Sequence, residues 1–104
     1  MQVIRWQESV PPQEQELRKR MQQEGLSPYS WSNGPYDTYA IHSHAYTKVL
    51  YCVRGSIRFV LHDSGSSPEA VDLQPGDCLI LSPGERHSAE VGSQGVICME
   101  APRY

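Results

Sequence analysis

The chain has 104 residues, 38% apolar and 20% charged, with nine Lys and Arg against twelve Asp and Glu and a formal net charge of −3. That length suits one domain with a modest core of its own, and the composition is that of an ordinary soluble globular protein. It lacks the basic excess that neutralising phosphates requires, so no nucleic-acid partner is expected, and it has no apolar run long enough to span a membrane. The opening MQVIRWQESV lacks the basic-then-apolar pattern of a signal peptide, which makes the cytoplasm the expected location.

In chain order, only PPQEQELRKRMQQEG reads as helix. Prolines open it, acids precede bases, and Gly25 stands where a helix would end. Its apolar stripe is thin, Leu17 and Met21 followed by Leu26, so the helix is expected on the surface of the domain or against a second subunit. From Tyr36 onward, short apolar runs alternate with turn signals at the spacing of an all-β barrel or sandwich. The runs are YDTYAIHSH, KVLYCV, SIRFVLH, EAVDL, DCLILS, HSAEV and GVICME. They are separated by Asn33-Gly34-Pro35, Arg54-Gly55, the polar loop DSGSSP, Pro75-Gly76, Pro83-Gly84 and GSQG. Both Pro-Gly pairs suit type II turns. The domain reading is a helix and arm over residues 1–33 and a barrel over 34–104.

His42 and His44 stand two apart in a strand-like stretch, where alternation would place both rings on one face. Two imidazoles so placed can share one metal ion, and His87, after the second Pro-Gly turn, is the candidate third ligand. His62, beside the polar loop, reads as a solvated edge residue. The cysteines, Cys52, Cys78 and Cys98, are odd in number and form no C-x-x-C pair, so reduced core thiols are expected.

The histidines lie within two longer patterns. HSHAYTKVLYCVRG has H-x-H, three residues, Lys48, six residues and Gly55; GDCLILSPGERH has Gly76, a short strand, Pro83-Gly84, two residues and His87. Order and spacing resemble the two motifs of the cupin superfamily, and the resemblance covers residues 34–100. It implies a double-stranded β-helix, the cupin or jelly-roll barrel. Its three histidines would project inward to hold a divalent transition metal: iron, manganese, nickel or zinc. Imidazole suits such ions, and rigid strands can fix the ligands while one end stays open.

The chain departs from the family's pattern at Ser82, where the second motif has proline, and at Lys48, where the first has glutamate. An ammonium has no lone pair to give a metal. At about 4 Å and an effective dielectric near 20, it would repel a dication by roughly 8 kcal/mol. Lys48 would therefore swing away from the ion, sit beside it deprotonated, or replace its charge. Alternation carries Lys48, Leu50 and Cys52 inward and Val49, Tyr51 and Val53 outward. Lys48 then becomes an anchor for a substrate carboxylate and Cys52 a pocket-lining residue. Asp77 and Glu90 are expected in solvent, and Glu100 is left open.

Tyr29, Trp31, Tyr36, Tyr39 and Tyr46 crowd the approach to the histidines. Tyr36 and Tyr46 are pocket candidates, with Arg86 at the mouth, while Trp31 and its neighbours are expected on the barrel exterior. Tyr39 shares a parity with Ile41 and would point away from the site unless a bulge intervenes. The apolar outward set predicts a homodimer. Two functions follow. One is a metal-dependent oxygenase or isomerase acting on a small organic acid. The other is a non-catalytic module sensing a metal or small ligand.

Overall fold

The computed structural model describes residues 1–62 and 67–104; residues 63–66 of the DSGSSP loop lie outside the described residues. Two long strands organise the rest, β4 (Thr47–Leu61) and β7 (His87–Arg103), paired antiparallel from Thr47↔Arg103 to Leu61↔His87. The runs read separately on either side of Arg54-Gly55 and of GSQG are therefore single strands. The ladder shifts register between Cys52 and Arg54 and again between Gly55 and Ile57, where residues 92–95 of β7 stand opposite Ser56 alone. Bulges of this kind change which side chains face inward. On β4 the core set passes from Leu50 and Cys52 to Ile57 and Phe59, and on β7 from Ala89 and Val91 to Val96 and Cys98.

Each long strand thereby serves two layers. In the first, the order is β1 (Gln2–Ile4), β6 (Cys78–Leu81), the first half of β4, the second half of β7, and β2 (Tyr29–Asn33). In the second it is β5 (Glu69–Leu73), the second half of β4, the first half of β7, and β3 (Thr38–His42). The architecture is the expected all-β jelly roll. Residues 1–33 contribute β1 and β2 to it besides their helix. Alternation in those segments is too brief to announce a strand, and pairing with β6 and β7 orders them. The main core lies between the layers, built from residues such as Leu50, Ile57, Phe59, Leu73, Leu79 and Val91.

A second cluster covers the outer face of the first layer. There α1 (Glu14–Gln23) lays Leu17 and Met21, both fully buried, against Val49, Tyr51, Val53, Met99 and Ala101. KVLYCV is thus buried on both faces, which explains its unbroken apolar run, whereas SIRFVLH alternates because its outer face is solvated. The apolar face that argued for a homodimer is covered by the chain's own helix, packed in cis. Gly25, at φ 81°, closes α1 with Leu26 N–H donating to Met21 O and Gly25 N–H to Gln22 O, and Leu26 folds back into the same cluster.

The Pro-Gly turns form as expected: Asp77 N–H donates to Gln74 O and Glu85 N–H to Ser82 O. Asp77, expected in solvent, is buried. Its carboxylate accepts from Gln74 N–H at 2.9 Å, Trp6 N–H at 3.0 Å and the Arg5 guanidinium at 2.8 Å, tying the N-terminal arm to the turn. Those donors hold the carboxyl below its usual range although burial pushes the other way. Glu90 is exposed, as expected.

The crossing of β4 and β7 is tightest at Gly55, where a Cβ would lie 2.0 Å from the Gly95 carbonyl oxygen on a backbone at φ 80°. Gly84 has the same φ with open space around it. Gly84→Ala should cost only the left-handed backbone penalty, about 1–2 kcal/mol. Gly55→Ala adds a backbone collision and should cost at least about 4 kcal/mol. Denaturant unfolding of the two variants measures the difference, and equal losses would refute the close crossing.

Candidate metal centre and ligand cavity

β3 delivers His42 opposite His87, the first residue of β7. β3 ends there, so His44 lies beyond the strand, and the alternation expected of H-x-H does not position it. It is set instead by the second Pro-Gly turn, where Gly84 N–H donates to the His44 carbonyl at 2.8 Å. Ring centroids are 5.0 Å apart for His42 and His44, 4.4 Å for His42 and His87, and 5.3 Å for His44 and His87. One ligand nitrogen from each lies within 4.8 Å of the other two.

The rings are oriented by the backbone. His42 Nδ1 is 2.8 Å from Ala40 O and His87 Nδ1 is 3.0 Å from Glu85 O. A carbonyl only accepts, so both Nδ1 atoms carry a proton, and the neutral form of each ring then has its lone pair on Nε2. His44 Nε2 is buried with no hydrogen-bond partner among the described residues. Burial pushes the His44 imidazole down to about 4, aided by the charge of Lys48 and by the other two histidines. His87 is also held low, first by burial and then by His42 and Lys48, against the pull of the Glu85 carbonyl. Two imidazoles whose Nδ1 is bonded to a carbonyl, which leaves Nε2 to face an ion, and one with an orphaned Nε2 are a donor set that a divalent transition metal accepts. The three residues fit such an ion.

The centre opens into a cavity of about 270 Å³. Leu50, Phe59 and Ala89 form part of its lining, together with Tyr29, Trp31, Tyr39 and Tyr46. Trp31 and Tyr29 are therefore on the cavity, not packed on the barrel exterior. Tyr39 reaches it because the β3 register shifts between Tyr39 and His42. Its ring meets Trp31 edge-on at 5.7 Å, and its hydroxyl donates to Asn33 Oδ1.

Lys48 points into this cavity, as alternation requires, and is 9% exposed. Its Nζ lies 3.1 Å from Glu100 Oε2. Glu100, 4% exposed, also accepts from the Tyr29 hydroxyl at 2.9 Å on Oε2 and from the Trp31 indole at 2.6 Å on Oε1. Burial and the Glu100 carboxylate push the Tyr29 phenol up to about 12. The carboxylate absent from position 48 thus reappears on the last strand, bonded to the lysine that replaced it. Sequence reading left Glu100 open; the signal was its parity with Val96 and Cys98 beyond the register shift.

Three pocket candidates lie elsewhere. Cys52 sits wholly in the core, its thiol facing the Arg54 and Gly55 carbonyls, and burial pushes it up to about 12. Arg86 is exposed and off the cavity wall, since alternation turns it outward when His87 turns in. Tyr36, at φ 63° in the bend between β2 and β3, directs a 67% exposed ring to a groove on the opposite side of the second layer. His62 is half-buried, its Nε2 2.8 Å from Ser88 Oγ, and lies off the cavity.

Comparison with solved structures finds the same fold. The cupin domain of Drosophila melanogaster CENP-C matches with a TM-score of 0.67 at 15% identity, over 73% of this chain and 59% of that one. Lactobacillus farciminis oxalate decarboxylase, in a formate complex, gives 0.66 at 19% identity, over 74% of this chain and 23% of that one. Bacillus subtilis oxalate decarboxylase, described with Mn(II) centres, gives 0.66 at 21%, over 74% and 20%. The chain thus corresponds to less than two thirds of each of these proteins, and at such identities the likeness is one of fold. No curated protein matches in sequence. The family model for the AraC-like ligand binding domain, however, matches residues 29–99, the stretch that holds the histidines, Lys48 and most of the cavity wall. On that match the chain belongs to the AraC-like ligand-binding domains, of cupin fold.

Proposed function

We propose that the chain is a metal-centred binding module. His42, His44 and His87 hold one divalent transition metal, and the cavity beside it takes a small organic acid. The observation that carries this reading is the His44 Nε2, buried with no hydrogen-bond partner among the described residues, beside two rings whose Nδ1 atoms are held by backbone carbonyls. Such an ion would supply Lewis acidity and open coordination positions to the bound ligand. Lys48 serves the acid group. Its charge is already balanced by Glu100, which lessens the repulsion an unpaired ammonium would exert on the ion. Three imidazoles without a carboxylate favour iron, nickel or zinc over manganese, following ligand softness and the Irving–Williams order. Three unpaired thiols suit a reducing compartment such as the cytoplasm.

Binding is favoured over turnover because Glu100, the one carboxylate on the cavity wall among the described residues, has a donor on each oxygen and is poorly placed to move a proton. A metal-dependent oxygenase or isomerase on the same acid is the second reading, supported by the open side of the three-histidine set. Turnover of a bound acid under oxygen would decide for it.

Metal analysis of untagged protein should find about one iron, nickel or zinc per chain, and His87→Ala should reduce this to near zero. Stoichiometry near zero in the unaltered protein after reconstitution with each metal would count decisively against the centre. Lys48→Glu restores the carboxylate at the motif position. It should be made with Glu100→Gln, which prevents two carboxylates from meeting. The double variant should bind zinc at least about tenfold tighter in competition with a chelator, because a fourth anionic ligand joins the set. Unchanged affinity would place position 48 out of the ion's reach.

A further inference from the structure

Resting on the small-acid reading, we propose that the ligand is a compact aromatic monocarboxylate and that Glu100 is the residue that rejects dicarboxylates. The argument is an inventory of what the cavity leaves unsatisfied. At about 270 Å³ it has the space of about nine waters, enough for a single ring with a short acid arm. Its apolar wall includes Trp31, Phe59 and Leu50, with Tyr39 held edge-on to Trp31, and flat rings pack well against such faces.

The polar groups divide sharply. Both Glu100 oxygens already face donors, one Trp31 and the other Tyr29 and Lys48. Lys48 has three N–H donors, and Glu100 is its ion-pair partner, so the ammonium retains donors for an incoming oxygen. A carboxylate brings acceptors alone and matches that surplus. Polyols and amines bring several donors, and Glu100, the carboxylate on the cavity wall among the described residues, already accepts from three groups and has at most one further site, on the oxygen that Trp31 holds. A buried donor left unpaired is strongly disfavoured. A dicarboxylate fails for a different reason. With one acid group at Lys48 and the metal centre, its second would face an aromatic wall and the Glu100 anion, whose charge already balances Lys48.

The test is calorimetric titration of the zinc-loaded full chain with benzoate, phenylacetate, succinate and sorbitol. One of the aromatic acids is expected to bind at least tenfold tighter than succinate or sorbitol. Glu100→Gln should narrow that preference over succinate at least fivefold. The double variant Lys48→Met with Glu100→Gln removes the buried pair without leaving a lone charge. It should stay folded by circular dichroism and lose at least tenfold in aromatic-acid affinity. The assignment is overturned if neither aromatic acid binds, if succinate or sorbitol binds as tightly as the better of them, or if Glu100→Gln leaves the preference unchanged. Zinc content measured on the same samples separates the two readings. Aromatic-acid binding without zinc would remove the metal and leave the ligand assignment standing. One zinc per chain without acid binding would remove the ligand assignment alone.

Discussion

Everything in this domain depends on β4 and β7 changing their inward parity where they cross. Without the register shifts around Gly55, Leu50 and Phe59 could not share a core, because they lie an odd number of residues apart on one strand. The close approach of Gly55 to the Gly95 carbonyl lets the two strands run through both layers. The same shift places His87 and Glu100, at opposite ends of β7, on one cavity. The site is therefore a product of the crossing, since no single layer holds all of its residues.

Inside that cavity the charges are arranged in opposed pairs. Burial holds the His44 and His87 imidazoles low, aided by the charge of Lys48 and by the neighbouring histidines. Lys48 and Glu100 neutralise each other, and Tyr29 and Trp31 complete the shell of the carboxylate. A buried ion pair of this kind contributes little to stability when weighed against an apolar replacement, but removing one partner strands the other. The pair places a cation on the same cavity as the three histidines without surplus charge.

The helix has a separate role. α1 covers the outer face of the first layer, so the domain seals that face without a second subunit. The helix is also tied to β2, because Ser30 donates to Glu14 and accepts from Arg18. β2 carries Tyr29 and Trp31 into the cavity on its other face. The N-terminal segment, outside the motif resemblance, is in this way joined to the ligand site through a single strand.

The all-β class, the helix with its glycine stop, both Pro-Gly turns and the inward set of Lys48, Leu50 and Cys52 were legible in the residues, because each rests on local periodicity or turn chemistry. Motif spacing also selected the three histidines that converge, although His44 reaches the site through a loop-to-turn hydrogen bond and not by strand alternation. Tertiary structure alone decided what lies far apart in sequence and meets across the sheet. It paired Lys48 with Glu100, put Trp31 and Tyr29 on the cavity wall, buried Asp77 under Arg5 and Trp6, and set α1 over the face expected to dimerise. It also excluded Cys52, Arg86 and Tyr36 from the cavity. The physical reason is that bulges and bends reset the phase of alternation. Beyond Gly55, the direction of a side chain follows from cross-strand register, which no local pattern encodes.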